Sequence, residues 1–183
     1  MTGVTVEKRE GEIPLSRLMD FYDREKYWGF CRACPRYGAL WSCPPYEEGA
    51  LPNLEQFSKI RLFCHVLHFS PELRREAASP EKAGAFMESC AAQYGKAAHE
   101  EMLRLEQSHP GSLGLTHGGC RLCAHCARPE GKPCRFPEKM RLSLESLGFS
   151  VVDMAREVLC LPISFSQEGL PPYQVLLCGL FLP

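Results

Sequence analysis

Residues 60–69 read IRLFCHVLHF, and the fold turns on that stretch. It combines Ile, Val and two Phe, all β-formers, so it predicts a largely buried strand. Working outward, residues 173–182 (YQVLLCGLFL) follow the Pro171-Pro172 turn and predict a second apolar strand, and residues 113–116 a short third. Residues 81–108 form the clearest helix. Met87, Cys90, Tyr94, Ala97, Met102 and Leu105 recur at steps of three to five, and Pro110-Gly111 closes the segment. Further helices are expected over 15–27, 54–59, 137–147 (ended by Gly148) and 152–159, with a helical turn near 72–78. The sum is an α+β domain spanning residues 1–183. A small, mainly antiparallel sheet is covered by helices, and two irregular cysteine-rich loops lie at one end. The polar residues 1–12 read as a flexible arm.

A length of 183 residues suits one domain. Lys plus Arg number 21 against 22 Asp plus Glu, a net charge of −1, which argues against a nucleic-acid binder working through bulk electrostatics. Residues 1–16 carry charges and no apolar core of a signal peptide. The most apolar run, 175–182, is far short of the roughly 20 residues that span a bilayer. These features predict a cytoplasmic chain with reduced thiols and no membrane association. Against that background the outlier is cysteine, with 11 residues, an odd number that suits a complete disulfide set poorly.

The cysteines fall into two classes. Cys64, Cys90, Cys160 and Cys178 stand singly, mostly among apolar neighbours, and read as small core hydrophobes. The other seven form two clusters. In the second, Cys120, Cys123, Cys126 and Cys134 are separated by two, two and seven residues. Three thiols in seven residues wrap a loop around an object larger than one ion, as in the bacterial ferredoxin run, although here Pro precedes the last Cys rather than following it. A single zinc more often takes two Cys pairs from separate knuckles. Gly118-Gly119 allows close backbone approach to the sulfurs, and Arg121, Arg128, Lys132 and Arg135 are available to offset a cluster's negative charge. His125 within the loop could support a ligand from behind.

In the first cluster, Cys31, Cys34 and Cys43 lie in a Pro-rich loop flanked by Trp28, Phe30, Tyr37, Trp41 and Tyr46, a set able to keep water from a metal centre. Two four-thiolate clusters need eight ligands and the motifs supply seven. Cys64 is the first candidate for the eighth, with His65, His68 or His117 as imidazole alternatives. A third option is an iron left open to substrate. Cys43 and Cys134 could also be exchanged between the two sites, as happens in two-cluster ferredoxins.

The strings C-x2-C-x2-Y-G-x2-W-x-C-P-P-Y over 31–46 and G-G-C-x2-C-x2-C-x7-C over 118–134 resemble a domain-of-unknown-function family described as predicted metal-binding proteins. The resemblance covers nearly the whole chain and implies metal or cluster ligands at Cys31, Cys34, Cys43, Cys120, Cys123, Cys126 and Cys134. It also implies an origin in anaerobic bacteria or archaea, and it supplies no reaction. Phosphate-binding, dinucleotide-binding, zinc-protease and serine-hydrolase motifs are absent from the sequence. Three readings stay open: an iron–sulfur protein, of [4Fe–4S] type with one or two clusters, that passes electrons to a redox partner protein; a zinc-stabilised interaction module; and an enzyme using an open iron.

Overall fold

In the computed structural model, which describes residues 1–163 and 168–183, β2 (Lys59–Phe69) is the strand that organises everything else. It pairs along its whole length with β1 (Val4–Pro14) on one side and from Lys59 to His68 with β4 (Tyr173–Leu182) on the other. The three-residue β3 (Leu113–Leu115) closes the far edge against β4, giving an antiparallel sheet of order β1-β2-β4-β3.

Side chains alternate across β2 and β4, and each face of the sheet meets helices. One face carries Ile60, Leu62, Cys64, Val66, Leu177 and Phe181, packed against Leu18, Phe149 and Met154. The residues opposing them come from three short helices, α1 (Leu15–Leu18), α5 (Leu144–Leu147) and α6 (Val151–Val158), and their flanks. The other face carries Leu67, Phe69, Leu176, Cys178 and Leu180 against the long helix α4 (Pro80–Ser108), through Ala83, Cys90, Ala98 and Met102. Because β4 is covered on both faces, Leu176 to Leu182 run as an unbroken apolar stretch rather than an alternating one.

The α+β architecture agrees with the sequence, and several elements differ in detail. The polar arm expected over 1–12 is instead the edge strand β1. Its charges are met by neighbours: Glu12 binds Lys59 and Arg61, Glu7 binds Arg9 and His68, and Lys8 binds Glu101. The helix expected over 15–27 breaks, because Asp23 leaves the helical path to accept the Lys26 N–H at 3.0 Å and start α2 (Arg24–Arg32). The helix expected over 137–147 shrinks to α5, started by a reciprocal Ser143–Ser146 cap. Gly148 ends α5 at φ +103, where a Cβ would lie 2.7 Å from the Arg24 Cα. The segment 54–59 holds only the 3-10 turn Leu54–Gln56, and the turn near 72–78 is the helix α3 (Pro71–Glu76). Of the four single cysteines, Cys64, Cys90 and Cys178 are buried as expected. Cys160 is exposed, in a left-handed turn (φ +52) after α6.

Candidate metal centre

The first cysteine loop begins inside α2. Cys31 sits in its last turn, and Cys34 follows in a tight turn whose N–H reaches the Cys31 carbonyl at 3.0 Å. The loop then doubles back through Gly38, at φ +69, whose N–H binds the Pro44 carbonyl at 2.8 Å. The Pro44–Pro45 bond is cis. Cys31 and Cys43 are half-buried, and Cys34 is exposed. Of the aromatic shell, Trp28 and Tyr46 meet edge-on with centroids 5.9 Å apart, and the Trp28 indole donates to the Ser146 carbonyl at 3.0 Å. Phe30 does not belong to it: the ring is 65% exposed.

The second loop leaves β3 through Thr116 and His117. All four of its cysteines, Cys120, Cys123, Cys126 and Cys134, line one small cavity whose other walls include Leu40, Trp41, Leu122, Phe136 and Met140. Two of those walls, Leu40 and Trp41, come from the first loop, so the two loops share this boundary.

Three further contacts lock the loops together. The fully buried Ser42 accepts the Cys120 N–H on its hydroxyl at 2.9 Å. Gly119 lies so close to the first loop that a Cβ there would meet Leu40 Cδ1 at 2.8 Å and Cys43 Sγ at 3.5 Å. Arg128 reaches back to donate to three carbonyls of the first loop, those of Leu40 (2.7 Å), Cys43 (2.5 Å) and Pro45, while its guanidinium lies over the Trp41 ring. The sequence singled out Arg128 for its charge alone. Its fork geometry is what binds the loops. The other loop cations also have partners: Arg121 pairs with Glu88, Lys132 with Glu130, and Arg135 donates to the His125 carbonyl.

Burial pushes the Cys31, Cys43 and Cys120 thiols above the usual range, and neighbouring thiols add to it. Cys31 feels Cys43 and Cys34, and Cys120 feels Cys134, Cys123 and Cys126. A bound cation reverses this balance by stabilising the thiolates, so loading the centre releases protons. Among the described residues, no three His, Cys, Asp or Glu side chains converge closely enough to hold one metal ion as they stand. The donor set nonetheless fits a soft metal or an iron–sulfur cluster, being four thiols on one cavity with largely apolar walls.

The candidates for the eighth ligand have other partners, although His117 stands at the root of the second loop. Cys64 is a core thiol on β2, 1% exposed, its pKa pushed up to about 12 by burial. His65 and His68 are tied to Glu101 (3.1 Å) and Glu7 (2.8 Å). His117 packs against α4 and Cys178. A residue that sequence reasoning passed over as ordinary helix, Glu145 on α5, has a buried carboxylate oxygen without a hydrogen-bond partner among the described residues. Burial raises its pKa, and its charge disfavours the Cys31 thiolate.

His117 yields a pH prediction. Burial, followed by the Arg121 charge, holds its pKa down at about 4, so the folded chain keeps it neutral where the unfolded chain takes up a proton. Stability from this residue is complete above the ordinary histidine range and is lost as pH falls towards 4, by about 3 kcal/mol. Urea midpoints measured between pH 7 and 4.5 should fall less steeply for His117→Gln than for the parent chain.

Taken together, the fold and the paired loops define a small α+β protein with a cysteine-lined centre at one end. The chain belongs to the family described as "Predicted metal-binding protein (DUF2284)", which matches residues 20–180 and so covers both loops. No curated protein and no solved structure matches the chain. No helix among the described residues is long and apolar enough to cross a membrane.

Proposed function

We propose that this metal-binding chain is an iron–sulfur protein of [4Fe–4S] type that exchanges electrons with a redox partner protein in the cytoplasm. Cys120, Cys123, Cys126 and Cys134 would hold one cluster, and Cys31, Cys34 and Cys43 would contribute to a second site. One observation carries the reading: four thiols spaced by two, two and seven residues surround a single cavity with largely apolar walls. Such a cluster supplies a one-electron couple. The chain's own residues would exclude water from it (Trp41, Leu122, Phe136) and fix the loop that carries it (Ser42, Arg128). Cys34 and Phe30 are exposed at the end of α2, which supports docking of the partner at the first loop.

The experiment is purification without oxygen, with iron, sulfide and zinc analysis and electron paramagnetic resonance of the reduced protein. Broad visible absorption and about four iron and four sulfide per filled site are expected. Cys123→Ala should remove one site's worth of both. A colourless protein holding zinc and no iron would overturn the reading in favour of a metal that only braces the loops.

A further inference from the structure

A second, larger cavity lies against the second cysteine loop. Its volume is about 360 Å³, within the range of small-molecule sites, and it opens between α4, the residues after β3, the second loop and Lys139. Cys120, Leu122 and Phe136 line both this cavity and the smaller cysteine-lined one, so an occupant would sit directly beside Cys120.

The walls are built to stay open and largely apolar. Gly95 on α4 leaves room for the His117 ring, whose Nε2 would stand 2.4 Å from any Cβ at that position. His117, 9% exposed, has no hydrogen-bond partner for that nitrogen among the described residues. His99 is committed to the Lys139 carbonyl at 2.8 Å. Leu103, Leu122 and Phe136 supply apolar surface.

The charges at the cavity are three cations, Lys96, Arg121 and Lys139, against Glu100. Arg121 is held by Glu88 and by the Gly119 carbonyl. Lys96 and Lys139, both exposed, form no ion pair among the described residues, so two lysines without a counter-charge stand on the lining of a cavity with largely apolar walls. That combination selects an occupant with an apolar body and an anionic head.

We propose that this cavity binds a small organic anion, a carboxylate or phosphate ester, with its head towards Lys96 and Lys139 and its body against Leu103, Leu122 and Phe136. The site goes beyond electron carriage and rests on that reading only in placing a ligand beside the Cys120 edge of the cluster. The alternative role for the two lysines is to offset the cluster's charge.

Calorimetric titration of the metal-loaded chain with benzoate, phenyl phosphate, neutral benzamide and inorganic phosphate separates these roles. Benzoate or phenyl phosphate should bind at least tenfold more tightly than benzamide and inorganic phosphate, and which of the two wins identifies the head group. The double variant Lys96→Gln/Lys139→Gln should lose at least tenfold for the anionic probes with benzamide unchanged. Ala92→Trp, on the exposed wall, should abolish binding of every probe. Equal binding of benzoate and benzamide, no binding of any probe, or indifference to the lysine pair would overturn the proposal. A shift in reduction potential with probe binding unchanged would assign the lysines to the cluster instead. Iron and sulfide are assayed on the same samples, so a chain that binds anions but holds no iron refutes the iron–sulfur reading and leaves the anion site standing.

Discussion

An Arg128→Ala chain is expected to keep its sheet and lose most of its metal. One guanidinium donates to the carbonyls of Leu40, Cys43 and Pro45 and covers Trp41, and among the described residues no other side chain joins the two cysteine loops through so many bonds. Hydrogen bonds to a charged group contribute about 1.5–3 kcal/mol each, but water can take over some of these carbonyls, so a net loss of about 3 kcal/mol is expected. The loss should appear as a lower denaturation midpoint and, more sharply, as a fall in metal per chain, because both walls of the cysteine cavity would drift apart. Arg128→Lys should not restore either quantity, since an ammonium cannot span three carbonyls in a plane. Equal metal content in the lysine variant would show that only the charge matters.

Truncating Phe181 to alanine should cost about 3–5 kcal/mol, a large part of the stability of a domain of this size. Phe181 is fully buried on β4, stacks on Phe57 with ring centroids 5.3 Å apart, and lies opposite Ile60 on β2. Phe181→Leu should retain most of the loss-free packing, at a cost nearer 1 kcal/mol. Urea denaturation of the two variants tests this, and a cost below about 1 kcal/mol for the alanine variant would mean that this side of the core is loosely packed.

The sequence made the sheet centre and the two cysteine clusters legible for different reasons. Residues 60–69 and 173–182 are apolar because they are covered on two faces, a signal that survives without any partner being known. The cysteine spacing is likewise local. What the sequence hid is non-local. β1 looks like a loose arm because an edge strand carries its charges outward, and only the sheet shows that Glu7, Lys8 and Glu12 are matched by residues of β2 and α4. Ser42 looks like any loop serine until Cys120, 78 positions later, donates to it. The second cavity takes its walls from segments spread between Ala92 and Lys139, and no linear pattern announces it. The expected helix over 137–147 failed for a local reason: the Ser143–Ser146 cap starts a new helix late in that segment.

During synthesis both cysteine loops leave the ribosome before β4 exists. β4 is the strand that joins β2 to β3, and the second loop departs from the end of β3. Until Tyr173–Leu182 inserts, β3 has no strand to pair with and only α4 beside it, so the root of the second loop is incompletely held. The seven loop thiols are therefore made early and assembled last. A chain that still lacks Tyr173–Leu182 presents them one by one to any oxidant or stray metal it encounters.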